Sequence, residues 1–246
     1  MSIVEERAWD VKEEKVQGAT RGGDPMKRWI KIERIPGPLA SVYEKATRLV
    51  IESYYRRIAA EIGASLAAGR ILDLGTGPGC LPIEIVKAFP LIRVVGVDLS
   101  PKLIRMAQRS AAQAGVADRL SFQVGNAARL RFADACFDMV ISTGMLHALR
   151  DPVKVLNEIY RVLKRGGEAW IYDPAQVASQ IDQDRWKALL TYRERFFLWL
   201  FTLAKLHKPL QTYTPRQVVA IIEATHFKAY RIDEGKHEIR IKLSKQ

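Results

Sequence analysis

The residues best placed to do chemistry lie in one short segment, Ile71-Leu72-Asp73-Leu74-Gly75-Thr76-Gly77-Pro78-Gly79-Cys80. An apolar run with one acid ends here in three alternating glycines, which is typical of a strand that breaks into a turn. Glycine tolerates positive φ and lets another group approach the main chain closely. The turn could therefore cradle a ligand at the carboxyl end of the strand.

The spacing of these glycines decides between classes of ligand. A dinucleotide fingerprint has glycines at the first, third and sixth positions, and the sixth position here is Cys80. A phosphate-binding P-loop is also excluded, because no Gly-Lys-Ser/Thr sequence ends the turn. NAD, FAD and nucleoside triphosphates bound in these two ways are therefore disfavoured.

Four other segments carry polar residues that could act together with the turn. Asp98 ends the apolar run 94–97, and an acid there can accept hydrogen bonds from ribose hydroxyls. Asn126 follows the next run, and its amide can both accept and donate. His147 and Asp173 follow two later runs, so either could serve as a general base.

Each of these groups also has a purely structural interpretation. Asp73 could brace the glycine turn, and Asp98 could do no more than begin the helix that follows it. His147 and Asp173 could hold a loop in place. A metal site is not expected, because the two cysteines and four histidines show no metal-ligand spacing.

An alternation of strands and helices must bring these residues together. Hydrophobic periodicity predicts strands at 70–74, 93–97, 120–124, 138–142 and 169–172 and helices at 81–89, 101–113 and 152–164. Ser100-Pro101 and Asp151-Pro152 each pair an N-cap residue with a proline at the first helical position, and Gly166-Gly167 is expected to follow a helix end. Such alternation implies a mainly parallel sheet with helices on both faces. In sheets of this kind, ligands bind outside the carboxyl ends of the strands.

The two ends of the chain add further elements. Apolar residues keep helical spacing from Leu39 to Ile62, and Gly63 lies near the predicted stop. A capping-box pattern at 214–217 predicts a helix over 215–224. Two alternating runs close the chain as a predicted β-hairpin.

The glycine segment resembles motif I of the class I S-adenosylmethionine-dependent methyltransferases, whose pattern is acid-x-Gly-x-Gly-x-Gly. The resemblance covers about residues 40–174 by motif and the end of the chain by pattern only. It implies an α/β fold, a doubly wound, mainly parallel seven-stranded Rossmann-like sheet with a C-terminal β-hairpin and a helical lid. The implied cofactor is S-adenosyl-L-methionine, with S-adenosyl-L-homocysteine as its product.

The resemblance also implies which residues contact the cofactor: Asp73, Gly75, Thr76, Gly77, Gly79, Asp98, Leu99, Asn126, Ala127 and Thr143. Where the family usually has an aspartate for the adenine amino group, this chain has Asn126, which keeps the acceptor without the charge. His147 matches the first histidine of the Leu-His-His sequence of many small-molecule and lipid methyltransferases. His147 and Asp173 are accordingly the candidate catalytic residues.

Sparse apolar residues and frequent glycines and prolines set off an N-terminal arm at 1–38 from a methyltransferase domain at 39–246. The helical lid is expected as an insertion at about 175–213. Within it, aromatic and basic residues are interleaved over 185–208. This pattern is typical of a buried lid or a homodimer contact, or of a helix in peripheral contact with a membrane.

The formal net charge of +12 favours phosphates, anionic lipid or acidic substrates as partners, although a basic solvated surface is equally compatible with it. No apolar stretch reaches the roughly 20 residues of a membrane span, and the charged start of the chain does not resemble a signal peptide. We expect a cytoplasmic protein, with possible peripheral contact at the inner membrane surface.

The sequence therefore predicts methyl transfer to a small, apolar or lipid-like acceptor, by an enzyme similar to the ubiquinone/menaquinone C-methyltransferases. One alternative is an RNA-modifying methyltransferase that uses the basic surface. Another is a protein that binds S-adenosylmethionine without turnover. DNA methylation is disfavoured, because the chain has neither an Asn/Asp-Pro-Pro-Tyr motif after the fourth strand nor a Pro-Cys pair.

Overall fold

The computed structural model describes residues 54–174, 213–235 and 238–246. The predicted arm at 1–38, the start of the first helix and the lid at about 175–213, including the segment 185–208, lie outside the described residues.

Seven strands form one sheet, in the order β3-β2-β1-β4-β5-β7-β6. They are β1 (Gly69–Leu74), β2 (Ile92–Asp98), β3 (Leu120–Val124), β4 (Phe137–Thr143), β5 (Leu163–Pro174), β6 (Ala229–Glu234) and β7 (Glu238–Ser244). The first five strands are mutually parallel, and β7 runs antiparallel between β5 and β6. The order reverses at β1, which pairs with both β2 and β4. Such a switch point is where open α/β sheets bind ligands.

Helices cover both faces of this sheet. They are α1 (54–65 of the described residues), α2 (Cys80–Ala88), α3 (Pro101–Gln113), α4 (Pro152–Val162) and α5 (Pro215–Glu223), with a short 3-10 turn at Leu146–Ala148. One apolar core lies between the sheet and α1, α2 and α3, and a second lies between the sheet and α4 and α5. The predicted doubly wound α/β architecture with a C-terminal β-hairpin is confirmed.

Local capping signals explain where three of the helices begin. The side chains of Ser100, Asp151 and Thr214 each accept a hydrogen bond from a backbone N–H of the first turn, and a proline follows each of them. Polar N-caps of this kind satisfy N–H groups that have no partner within the helix. The predicted starts of α3, α4 and α5 are confirmed.

The helix that was predicted to stop near Gly63 ends at residue 65, so the predicted end is confirmed to within about two residues. A Cβ at Gly63 would lie 1.9 Å from the Cζ of Phe89. The glycine therefore lets the phenyl ring pack against the helix, which is a tertiary reason for glycine that helical periodicity does not reveal.

The predicted boundary between the fourth helix and the fifth strand is wrong. The helix ends at Val162, and β5 begins at Leu163, which pairs with Phe137 of β4. Gly166, with φ +75°, lies inside this strand and not in a loop after the helix.

Among the described residues, no helix is both long and apolar enough to cross a bilayer.

Candidate functional site

The glycine turn follows the buried strand β1 and is held by backbone hydrogen bonds. The N–H groups of Gly75 and Thr76 both donate to the carbonyl of Val97 in β2, at 2.8 and 3.1 Å. Gly75, Gly77 and Gly79 have φ values of +71°, +54° and +81°. A residue with a side chain would be strained at each of these positions, so the backbone itself requires the glycine spacing.

The turn is also closely packed by neighbouring elements. A Cβ at Gly75 would lie 3.1 Å from the Sδ of Met145, and one at Gly79 would lie 2.9 Å from the Cβ of Ala107 in α3. Gly79 is also the N-cap residue of α2. The glycines thus allow the loop after β4 and the helix α3 to approach the main chain of the turn.

Asp98, at the end of β2, ties that strand to the turn. Its Oδ2 accepts from the N–H of Gly77 at 3.0 Å, and its Oδ1 accepts from the N–H of Ser100 at 2.8 Å. A carboxylate has about four lone-pair sites, so these two bonds leave it able to accept from a ligand. Asp98 lies on the wall of the cavity described below.

Asp73 is buried beneath the turn, with 2% of its surface exposed. Burial raises the pKa of its carboxyl to about 7; the charge of Asp98 also raises it, and the nearby hydroxyl of Thr76 opposes the rise. Neither the Oδ1 of Asp73 nor the Oγ1 of Thr76 has a hydrogen-bond partner among the described residues. Buried polar atoms are normally paired, so these two atoms mark a polar spot beneath the turn whose hydrogen bonds the described residues do not complete.

A cavity of about 310 Å³ opens at the carboxyl ends of the parallel strands. Five predicted cofactor-binding residues lie on its wall: Gly75, Asp98, Leu99, Asn126 and Ala127. The other predicted residues are not on this wall. Asp73, Thr76, Gly77 and Gly79 form the end of β1 and the turn behind Gly75, and Thr143 ends β4.

Asn126 lies in the loop after β3 and is exposed. Its Oδ1 accepts a hydrogen bond of 2.8 Å from the N–H of Ala128, which orients the amide group. The amide oxygen can accept a second hydrogen bond and the nitrogen can donate. Asn126 is thus able to contact a heterocycle that has both donors and acceptors on its edge.

His147 and Asp173 are brought together by the ends of β4 and β5. The Nδ1 of His147 lies 3.1 Å from the Oδ1 of Asp173, and the backbone N–H of His147 donates to Oδ2 at 3.0 Å. A carboxylate only accepts hydrogen bonds, so this contact requires the hydrogen on Nδ1, and in the uncharged ring that tautomer leaves the lone pair on Nε2. Neither residue is on the cavity wall.

Sequence reasoning missed the part of the wall that comes from the loop after β4 and the first turn of α4. These residues are Met145, Ala148, Leu149, Arg150, Asp151, Lys154 and Val155. His147 was singled out because ligands bind outside the carboxyl ends of the strands, and the same reason applies to the whole loop after β4. Asp151 was interpreted only as a helix cap. Among the described residues, no cluster of three or more potential metal-ligating side chains occurs.

Comparisons with known proteins agree with this geometry. A family model described as "Methyltransferase domain" matches residues 66–225. The ubiquinone/menaquinone biosynthesis C-methyltransferase UbiE of Geobacter sp. (strain M21) is 29% identical over 147 residues, which cover 58% of this chain and 63% of that protein. The demethylmenaquinone methyltransferase of Thermus thermophilus is 35% identical over 132 residues, which cover 52% and 59%.

The chain thus spans somewhat less than two thirds of the length of these relatives.

Solved structures share its fold. A proposed S-adenosyl-L-methionine-dependent methyltransferase from Methanococcus maripaludis has a TM-score of 0.68 at 20% identity and covers 91% of this chain and 98% of its own. A SAM-dependent methyltransferase from Aquifex aeolicus has a TM-score of 0.64 at 17% identity, covering 83% and 96%.

Proposed function

The chain belongs to the methyltransferase-domain family, and from this premise we propose that it transfers the methyl group of S-adenosyl-L-methionine to a small, apolar acceptor of the quinone type. The observation that carries the proposal is the cavity at the switch point of the sheet. Gly75, Asp98 and Asn126 lie on its wall, in the order in which the family pattern requires cofactor contacts after the first three strands.

The residues around the cavity fit this cofactor. The turn allows close approach to the main chain, and the buried Asp73 and Thr76 beneath it have polar atoms without described partners. Asp98 would hold the ribose hydroxyls and Asn126 the adenine edge. The turn at 75–79 would hold the amino-acid portion.

S-adenosyl-L-methionine, when bound, supplies a methyl group already activated on a sulfonium, which becomes a neutral thioether once the methyl has moved to the acceptor. The residues of this chain have to align the acceptor and exclude water, and orientation alone can account for several kcal/mol of the barrier. A base is needed only for an acceptor that loses a proton.

We assign to His147 the role of general base, which accepts the proton that the acceptor loses. An aromatic ring carbon that gains a methyl group loses its hydrogen as a proton, and the Nε2 of His147 is the atom that would accept it. Asp173 would keep the ring in this tautomer and stabilise the imidazolium that forms. This dyad lies beside Met145 and Ala148, which are on the cavity wall.

The quinone class of acceptor is inferred from the relatives, of which one is named for ubiquinone/menaquinone biosynthesis and the other for demethylmenaquinone. An apolar acceptor of this type partitions into lipid, and a chain with a net charge of +12 is attracted to an anionic bilayer surface. We accordingly propose peripheral contact with membranes. Sedimentation with anionic and with neutral vesicles tests this part separately.

The test of the function begins with the full chain and the methyl donor. Titration calorimetry should detect binding of S-adenosyl-L-homocysteine, and lack of binding would contradict the proposal. The chain should then methylate a reduced demethylnaphthoquinone with a short prenyl tail, detected by mass spectrometry as one added methyl group. Methylation of transfer RNA instead would favour the RNA-modifying alternative. Binding with no turnover of either acceptor would favour the non-catalytic one.

A further inference from the structure

The loop between β3 and β4 supplies one side of the cavity through Asn126, Ala127 and Ala128. The carbonyl of Asn126 accepts from the N–H of Arg129 at 2.9 Å, and its side chain accepts from Ala128 at 2.8 Å. These bonds make 126–129 a compact turn. On one side it continues from β3, where the N–H of Gly125 donates to the carbonyl of Asp98 at 3.0 Å. Its position on the cavity wall therefore depends also on what holds the residue that follows it.

The side chain of Leu130 is buried in the apolar core, and its backbone is held by one ion pair on α4. Its backbone N–H donates to the Oε2 of Glu158 at 2.7 Å, and its carbonyl accepts from the Nη2 of Arg161 at 3.0 Å. Arg161 in turn donates to both oxygens of Glu158, at 2.9 Å each. Leu130 and the two side chains thus form a closed ring of hydrogen bonds.

Arg161 also binds residues further along the same loop. Its Nη1 donates to the carbonyl of Phe132 at 2.8 Å and to the Oδ1 of Asp134 at 2.7 Å. The contact with Asp134 is exposed and contributes little. The contacts with backbone carbonyls matter more, because the planar guanidinium can serve several acceptors in fixed directions.

The Glu158–Arg161 ion pair is carried by a helix that is packed into the core. Glu158 and Arg161 lie one turn apart on α4, whose opposite face is buried through Val155, Leu156 and Ile159. Hydrogen bonding to Glu158 raises the pKa of Arg161, and hydrogen bonding to Arg161 lowers the pKa of Glu158. The pair therefore stays ionised over the whole range of pH in which the protein would be assayed.

We propose that Glu158 and Arg161 are positioning residues for the adenine of the methyl donor. Neither lies on the cavity wall, and both act through Leu130, which fixes the turn that presents Asn126. The inference rests on the proposed function, since it requires that the cavity takes an adenosyl ligand. If it is wrong, the pair only stabilises the fold.

Calorimetry on the full chain tests this inference with Arg161→Ala, Arg161→Lys and a matched control, Arg93→Ala. Arg93 also donates to a loop carbonyl, that of Asp118 at 3.1 Å, but it lies near the amino end of β2, away from the cavity. Arg161→Ala should weaken binding of S-adenosyl-L-homocysteine by about tenfold, as expected for a displaced contact. Arg161→Lys should restore only part of the lost affinity, because a lysine ammonium cannot donate to several acceptors in the fixed directions of a planar guanidinium.

Two further readouts separate positioning from general stabilisation. The turnover number at saturating methyl donor should stay within about twofold of wild type, while the Michaelis constant for the donor rises. The loss should also be smaller for S-inosyl-L-homocysteine, which lacks the adenine amino group. A loss no larger than that of Arg93→Ala, or an equal loss for both ligands, would overturn the inference. A wild-type chain that binds neither ligand would instead refute the proposed function.

Discussion

The Oδ2 of Asp98 accepts a hydrogen bond of 3.0 Å from the backbone N–H of Gly77. The end of β2 is thereby joined to the middle of the turn that follows β1, across 21 residues of sequence. A side chain that is expected to contact a ligand thus also shapes the backbone that is expected to cradle it. Substitution of Asp98 should consequently affect both parts of the site.

We expect Asp98→Ala to weaken binding of S-adenosyl-L-homocysteine by about 10- to 100-fold, because hydrogen bonds to a charged group are each worth about 1.5–3 kcal/mol. Titration calorimetry measures this directly. Asp118→Ala is the matched control, since Asp118 is an exposed acid near the amino end of β3. Equal affinities in the two variants would contradict a role for Asp98 in the cofactor site.

Gly79→Ala should destabilise the fold more than Gly115→Ala. Both glycines have positive φ, +81° and +69°, so both substitutions introduce backbone strain of about 1–2 kcal/mol. Only the Cβ at Gly79 would be crowded, by Ala107 at 2.9 Å, whereas nothing lies within 4 Å of a Cβ at Gly115. Urea unfolding should give the larger loss for Gly79→Ala, and equal losses would show that crowding in the turn is relieved at little cost.

The stability of the chain should depend on pH through Asp73. Burial raises the pKa of this carboxyl from its ordinary value of 3.8 to about 7. Between these values the folded state keeps the proton that the unfolded state has lost, so the free energy of unfolding falls as pH rises from 4 to 7. The contribution is lost as the pH rises through the folded-state pKa of about 7.

Asp73→Asn removes this group with little change of shape. Relative to the variant, the wild type should lose up to about 4 kcal/mol of unfolding free energy between pH 4 and pH 8. Urea unfolding over this range, read as the difference between the two proteins, isolates Asp73 from all other titrating groups. A difference that does not vary with pH would show that Asp73 is ionised throughout.

His147→Ala should reduce turnover without weakening cofactor binding, because His147 is not on the wall of the cavity. Loss of a general base typically costs 10²- to 10⁴-fold in rate. Asp173→Asn should cost less, since the imidazole remains but its orientation and charge stabilisation are lost. Methyl transfer to the quinone-type acceptor is the measurement.

His226→Asn provides the control for this pair. The ring of His226 lies tilted against that of Tyr160, with 5.5 Å between the ring centroids, and His226 is on the surface and not part of the His147–Asp173 dyad. It should leave turnover unchanged. Full turnover in His147→Ala would support the alternative that this histidine and Asp173 only hold the loop after β4.

Local signals were sufficient for most of the fold. Ser100-Pro101, Asp151-Pro152 and the capping box at Thr214 predicted helix starts that the structure confirms, because capping depends on residues within one turn of each other. The family and the doubly wound sheet with its hairpin are confirmed as well. The early start of β5 was missed, since Leu163 pairs with a residue 26 positions away, Phe137.

The sequence by itself determined the glycine turn, the family and the strand ends at which polar residues gather. Backbone conformation at Gly75, Gly77 and Gly79 and the periodicity of strands and helices are local properties, so residue type and spacing are enough to read them. Only the tertiary structure decided that His147 meets Asp173 and that Leu130 is held by Glu158 and Arg161. These contacts join separate elements, and their partners are chosen by the packing of the sheet and not by spacing along the chain.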